Sequence, residues 1–256
     1  MPLLDVQNLT MRFGSLAANQ DVSFSVEPGT IVGLIGPNGA GKTTLFNCVA
    51  GLYRPSSGKI HFDGHDITNL PSHRIARLGV ARTFQVVRPL KEMTVLDNVL
   101  VGSYLRHRSP QKALAVAEAC IHRCFMDEWR DRPAGDLTMG NKKRLEVARA
   151  LATEPKLLML DESVAGLTST EVKEMVALIR SLKAGGITIL MVEHIMEAIM
   201  PIADKIVVLN GGIKIAEAPP AEVVEDERVI TAYFGEKFSQ RLKARKEANG
   251  NHAQDQ

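Results

Sequence analysis

The sequence predicts an α/β fold: a sheet with parallel strands carrying a phosphate loop, an antiparallel β margin beside it, and an inserted helical lobe. Three observations predict it. The apolar run 30–35 leads into GPNGAGKTT at residues 36–44 and then into a helical pattern at 45–50, which is the order strand, glycine loop, helix. Two further continuous apolar runs, 156–160 and 187–192, have the composition of strands covered on both faces. Residues 94–104 and 111–125 carry helical spacing, joined by the turn RHRSP at 106–110.

The loop meets the pattern G-x-x-x-x-G-K-S/T through Gly36, Gly41, Lys42 and Thr43, with Gly39 inside it. Glycines let successive backbone N–H groups face one concavity, and the helix that follows adds its positive dipole end. That nest suits an anion with several oxygens. Lys42 is placed to reach the β and γ phosphates of a nucleotide, and the Thr43 hydroxyl to join the shell of a Mg²⁺ that keeps most of its waters.

At 256 residues the chain suits one large α/β domain or a core with an inserted lobe. A net charge of +2 with 23% charged residues gives no basic field arguing for nucleic acid. The opening MPLLDVQNLT lacks a basic and then apolar leader, and no run approaches the roughly 18 apolar residues of a membrane span, so a cytoplasmic location is expected. Cys48, Cys120 and Cys124 suit a reducing compartment. Cys120, His122 and Cys124 cluster but lack further metal ligands, which favours a packed set over a metal site.

In chain order, 3–9 and 22–26 read as antiparallel strands connected by 14–19, and 58–62 with the turn Asp63-Gly64 as a third. Phe13 stands beside that connection, as a stacking face for adenine or as an ordinary packed aromatic. After Pro71 a helix runs to Leu78, and the apolar stretch 79–84 ends in Gln85, a polar group at a strand end. The lobe ends near Pro133 and Gly135. LTMGN at 137–141 then opens the helix KKRLEVARALA, with Thr138 as N-cap and the Gly140 N–H accessible to phosphate. Lys142, Lys143 and Arg144 give that helix the look of a solvated amphipathic one.

The strand 156–160 ends in Asp161 and Glu162, at the strand end where open α/β sheets bind ligands. Asp161 suits the Mg²⁺ shell, and Glu162 can take the proton of an attacking water. A helix at 171–183 and the strand 187–192 follow, and His194 closes that strand as a candidate γ-phosphate sensor. Strands 205–209 and 213–217 flank the hairpin signal Asn210-Gly211-Gly212, and 222–234 reads as one closing helix.

The ordered set GPNGAGKT, Gln85, LTMGN, LLMLDE and His194 resembles the nucleotide-binding domain of ABC transporters over nearly the whole chain. The stretches LIGPNGAGKTTLFNCVAGLYRPSSGKI, IARLGVARTFQVVRPLKEMTVLDNVLVG, RLEVARALATEPKLLMLDE and RVITAYFGE are similar to the ATPase subunits of bacterial branched-chain amino acid importers. ATPases for urea or amide import and for lipopolysaccharide export share much of that pattern; the alternative of another class is a soluble ABC ATPase acting on translation or nucleic acid, which the single phosphate loop disfavours because such proteins commonly carry two fused domains. The resemblance implies an ABC-type domain over 1–236, with a helical lobe at about 91–150; the tail 237–256 is charged and poor in apolar residues after Leu242, and is expected to be flexible. It implies that ATP lies on Gly36, Pro37, Asn38, Gly39, Ala40, Gly41, Lys42, Thr43 and Thr44, with Phe13 stacking adenine. Thr43, Gln85 and Asp161 would then serve the metal, Gln85 in a loop that also senses the membrane partner, with Glu162 as catalytic base and His194 as a second catalytic residue. It further implies head-to-tail pairing with a second ATPase subunit, identical or different, so that Leu137, Thr138, Met139, Gly140 and Asn141 cover the partner's ATP. Transmembrane permease subunits and, indirectly, a solute-binding protein complete the expected partners, with the chain peripheral on the cytoplasmic face of the membrane and no nucleic acid involved.

The chain departs from the family pattern at four places. Met139 and Asn141 replace the usual residues of an LSGGQ or LSYGQ signature, Ser163 stands where proline is common, and Thr168 where Asp or Asn follows Gly-Leu. These departures leave binding on the chain's own loop untouched and bear on contacts across the expected interface.

Overall fold

The computed structural model describes residues 1–84 and 87–236. Gln85 and the tail 237–256 lie outside the described residues. A six-stranded sheet forms the middle layer. Its members in chain order are β3 (Ile31–Ile35), β6 (Val80–Arg82), β7 (Leu157–Asp161), β8 (Thr188–Val192), β9 (Lys205–Asn210) and β10 (Ile213–Ala218), in the spatial order β10-β9-β3-β8-β7-β6. All pairs are parallel except β9 with β10. A second, antiparallel sheet, β2-β1-β4-β5, is built from β1 (Leu4–Phe13), β2 (Leu16–Val26), β4 (Ser57–Phe62) and the two-residue β5 (His65–Asp66).

The continuous apolar runs follow from burial of both faces of the middle sheet. Val32, Leu34, Leu157, Met159, Leu190 and Val192 point to a core shared with the antiparallel sheet and helix α1 (Lys42–Val49). Their alternates Ile31, Ile35, Leu158, Leu160, Ile189 and Met191 point to the opposite core, as the two-residue side-chain period requires. Helix α2 (Ser72–Leu78) precedes β6. The helical lobe contains α3 (Val95–Ser103), α4 (Pro110–Arg123) and α5 (Met139–Leu151). Thr94 and Asp97 form a reciprocal capping box that starts α3, and buried Asn98 ties the preceding loop through Leu90 N–H, Leu90 O and Met93 O.

Helix α6 (Ser169–Ala184) leads to β8, and α7 (Met196–Ile199) follows it. The single closing helix expected at 222–234 is two, α8 (Pro220–Val223) and α9 (Glu227–Phe234). Asp226 causes the break: it is extended and its carboxylate caps α9 by accepting from the Arg228 N–H. The connection expected at 14–19 is also shorter, because β1 runs on to Phe13 and β2 resumes at Leu16. Cys120 and Cys124 are buried in the lobe core, where burial pushes the Cys120 thiol up to about 11. His122 turns outward to Asp127.

Candidate functional site

Parallel register brings the functional strand ends to one edge. Leu34 of β3 and Asp161 of β7 both pair with Val192 of β8, so the phosphate loop, the acidic pair and His194 leave the sheet at the same level. This is the carboxyl edge at which open sheets of this kind take ligands.

The loop owes its shape to two glycines. Gly36 has φ 150° and a Cβ there would stand 2.1 Å from Leu209 O; Gly41, at φ 94°, would place one 2.3 Å from Ala18 O. No side chain fits at either position. Gly41 is also the N-cap of α1, so the helix dipole opens at the loop. The loop is braced from outside: buried Asn19 donates Nδ2 to Gly41 O at 3.2 Å, and the Gly212 N–H donates to Ala40 O at 3.2 Å. Lys42 Nζ donates to Gly36 O at 2.7 Å and Pro37 O at 3.0 Å. Burial lowers its pKa, while the nearby Glu162 charge raises it. Thr43, one residue on, is exposed.

Asp161 is 2% exposed. Its Oδ2 accepts from Arg82 Nη2 at 2.7 Å, its backbone N–H donates to Thr83 Oγ1 at 3.2 Å, and its Oδ1 is buried with no hydrogen-bond partner among the described residues. Burial raises its pKa and outweighs the opposing Arg82 pairing. A buried carboxylate oxygen without a donor, on the strand edge that carries the Thr43 loop, is chemistry that fits a hard cation such as Mg²⁺. Glu162 follows in the left-handed region at φ 49°, a conformation uncommon outside glycine. Its N–H donates to Val192 O at 2.9 Å, and its Oε1 lies 3.9 Å from His194 Nδ1.

Phe13 ends β1 45% exposed and meets the Tyr53 ring edge-on, centroids 5.4 Å apart. The 137–141 stretch packs elsewhere, against α6. Leu137 is buried, Thr138 caps α5 by accepting from the Asn141 N–H at 3.3 Å, and Met139 is exposed. Gly140 lies against the Glu171 carboxylate, whose Oε1 would stand 2.5 Å from a Cβ.

Four functional neighbours escape the sequence reading. Arg82 is a charged residue in an otherwise apolar strand and Glu193 directly follows another, and that anomaly is their signal. Asn19 gives none. Lys143 is the correction: expected on a solvated face with Lys142 and Arg144, it is 7% exposed and donates Nζ to Glu162 O at 2.6 Å. The two departures after Glu162 also find partners. The Ser163 hydroxyl and the Val164 N–H both donate to Glu193 Oε1 at 3.1 Å, and Thr168 forms a capping box with Glu171 that starts α6.

A family model described as ABC transporter matches residues 19–165, and one described as branched-chain amino acid ATP-binding cassette transporter matches residues 214–239. The chain belongs to the ABC transporter ATP-binding family. It is accordingly a nucleotide-binding ATPase. It is 44% identical to the high-affinity branched-chain amino acid transport ATP-binding protein BraF of Pseudomonas aeruginosa, over 92% of this chain and 98% of that one. LivG of Escherichia coli K12, named for the same transport, is 42% identical with the same coverage. A nucleotide-free ATP-binding cassette from an ABC transporter superposes with TM-score 0.84 at 34% identity, covering 92% of this chain and 100% of that one. An ATP-binding cassette of an ABC transporter in its ADP conformation matches equally, with TM-score 0.84 and 34% identity over 92% of this chain and 100% of that one. No helix among the described residues is long and apolar enough to cross a membrane.

Proposed function

We propose that this ATPase energises import of branched-chain amino acids, as a peripheral subunit on the cytoplasmic face of a membrane. Residues 1–236 form its ATPase domain, with the lobe at about 91–150 inserted, and 237–256 a separate tail. The reading is carried by the convergence of the phosphate loop, Asp161, Glu162 and His194 on one sheet edge, joined to the two branched-chain amino acid transport relatives named above.

In this reading ATP phosphates lie on the 36–44 amides and Lys42, with adenine on Phe13. Thr43, Asp161 and Gln85 would hold Mg²⁺, which would supply positive charge against the phosphate oxygens. Water attacks the γ-phosphorus in line as the bond to the bridging β-γ oxygen breaks, and Glu162 accepts the water proton. His194, beside Glu162, donates to the γ-phosphate. Leu137, Thr138, Met139, Gly140 and Asn141 cover the nucleotide of a second ATPase subunit paired head to tail. Permease subunits dock on residues 87–93 and the adjoining cleft of about 330 Å³, whose lining includes the exposed Leu52, Phe84 and Val101. The segment and cleft are continuous, since Arg149 lines the cleft and donates to Arg88 O at 3.0 Å. A solute-binding protein acts one step further out.

Glu162→Gln tests the mechanism. It keeps size and removes the base, so hydrolysis should slow about 10² to 10⁴-fold while MgATP binding persists and a nucleotide-dependent dimer accumulates in light scattering, with the second ATPase subunit supplied if the pair is mixed. Hydrolysis at the native rate would remove Glu162 from its role. Import is tested separately by labelled leucine uptake in cells lacking the chain; uptake unchanged by its loss assigns it to another solute.

A further inference from the structure

Glu162 is held at the carboxyl edge both by the sheet and by the helical lobe. Its N–H is fixed by Val192 O of β8 at 2.9 Å, and its carbonyl by Lys143 Nζ of α5 at 2.6 Å. Between those two bonds the backbone sits at φ 49°, which a non-glycine residue keeps only when its surroundings over-determine it. The next two residues are pinned as well, through Ser163 Oγ and Val164 N–H on buried Glu193.

We propose that Lys143 is a positioning residue for hydrolysis, holding the Glu162 peptide in the left-handed turn that aims its carboxylate at the attacking water. The proposal rests on the reading of Glu162 as the base. Three features single out this lysine. It is buried, so its ammonium has no water to replace the carbonyl it serves. It stands five residues beyond Thr138 on the same helix, so a displacement of the α5 N-terminus reaches Glu162 through one side chain. It also begins a stripe at i, i+3 and i+6 on α5. In that stripe Glu146 Oε1 accepts from the Arg88 N–H at 2.9 Å and Arg149 Nη1 donates to Arg88 O at 3.0 Å. One helix therefore grips the catalytic turn and the expected permease-docking segment together.

A purely structural lysine that only offsets the Glu193 charge makes a different prediction, and a double-mutant cycle separates the two. The full chain, with its partner ATPase where required, is compared as native, Lys143→Met, Lys143→Arg, Glu162→Gln and the Lys143→Met/Glu162→Gln double variant. Single-turnover hydrolysis, MgATP affinity by titration calorimetry and melting temperature are read for each. Lys143→Met should hydrolyse about 10²-fold more slowly, as expected for a misplaced catalytic group, with MgATP affinity unchanged. Lys143→Arg should restore most of the rate, and Lys143→Met should add no slowing in the Glu162→Gln background. Native-rate hydrolysis by Lys143→Met, or equal slowing in both backgrounds, overturns the proposal. Should Lys143→Met not fold, Lys143→Gln, polar but too short to reach the carbonyl, takes its place under the same criteria. Native-rate hydrolysis by Glu162→Gln alone would instead sink the base assignment on which the proposal stands.

Discussion

Arg82→Met tests how the metal-side carboxylate is held. Arg82 meets three side chains at once: Nη2 meets Asp161 Oδ2 of β7 at 2.7 Å, Nη1 donates to Asn47 Oδ1, and the guanidinium lies 5.0 Å from the Phe46 ring centroid. Asn47 and Phe46 belong to α1, the helix that begins at the phosphate loop. The side chains of the ion pair are 13% and 1% exposed, so solvent does little to screen it. Methionine keeps most of the aliphatic stem and leaves Asp161 charged and unpaired. Removing one partner of a buried pair costs about 3–5 kcal/mol, and a chain of this size loses roughly 2–4 °C per kcal/mol. The variant should therefore melt about 6–20 °C lower. Two controls tie that loss to Asp161. Arg82→Met with Asp161→Asn removes both charges and should recover most of the melting temperature, and MgATP should raise the melting point of Arg82→Met more than that of the native chain, because the cation compensates the stranded carboxylate. Differential scanning calorimetry with and without MgATP measures all of this. A single variant melting within about 2 °C of the native chain, or a double variant melting no higher than the single, would refute the ion pair as a structural tie.

Lys42→Ala removes a charge aimed at two phosphates, and with charge-assisted contacts worth about 1.5–3 kcal/mol the ATP dissociation constant should rise roughly 10- to 150-fold in calorimetry. Glu193 is fully buried and burial raises its pKa above the ordinary 4.5, so its stabilising contribution is complete below that value and lost as pH climbs through the folded one. Glu193→Gln should accordingly gain in urea midpoint over the native chain on going from about pH 5 to pH 8; a pH-independent difference would contradict the raised value. Arg88→Glu with Leu90→Asp places charge on the proposed docking segment, and should release the chain from membranes in a flotation assay while ATP binding is unchanged. Retention on membranes would move the docking surface elsewhere.

The parts of the fold legible in the sequence are those whose pattern is local. Residues 156–160 and 187–192 read as strands because each is covered on both faces, and the loop between β3 and α1 is spelled out by Gly36, Gly41, Lys42 and Thr43. Thr138 announces its helix because capping is a contact across three residues. The neighbours missed are set by pairings distant in sequence: Arg82 with Asp161 is 79 residues apart, and Asn19 with Gly41 is 22. Lys143 was misplaced for a different reason. A lysine between Lys142 and Arg144 has the composition of a wet face, and only the approach of the β7 exit turn to α5 makes its position an interior one. The break between α8 and α9 was hidden because residues 222–234 keep helix-compatible composition through Asp226, and the cap forms only when that carboxylate turns back on Arg228.

The four departures from the family pattern separate into two kinds once their contacts are known. Ser163 and Thr168 act within the chain: one hydroxyl donates to Glu193 and helps fix the turn after Glu162, the other caps α6 in partnership with Glu171. Proline at 163 would provide no hydroxyl for Glu193 Oε1, leaving that carboxylate with the Val164 N–H while its Oε2 is already buried without a donor among the described residues. Serine at that position is thus matched to a buried glutamate 30 residues away. Met139 and Asn141 have no such internal explanation for their side chains. Met139 is 53% exposed on the first turn of α5, next to the Gly140 that Glu171 touches, so its side chain is open to a molecule outside this chain. In the proposed pair that molecule is the partner ATPase with its nucleotide, and the altered signature is therefore where this chain's choice of partner is to be sought.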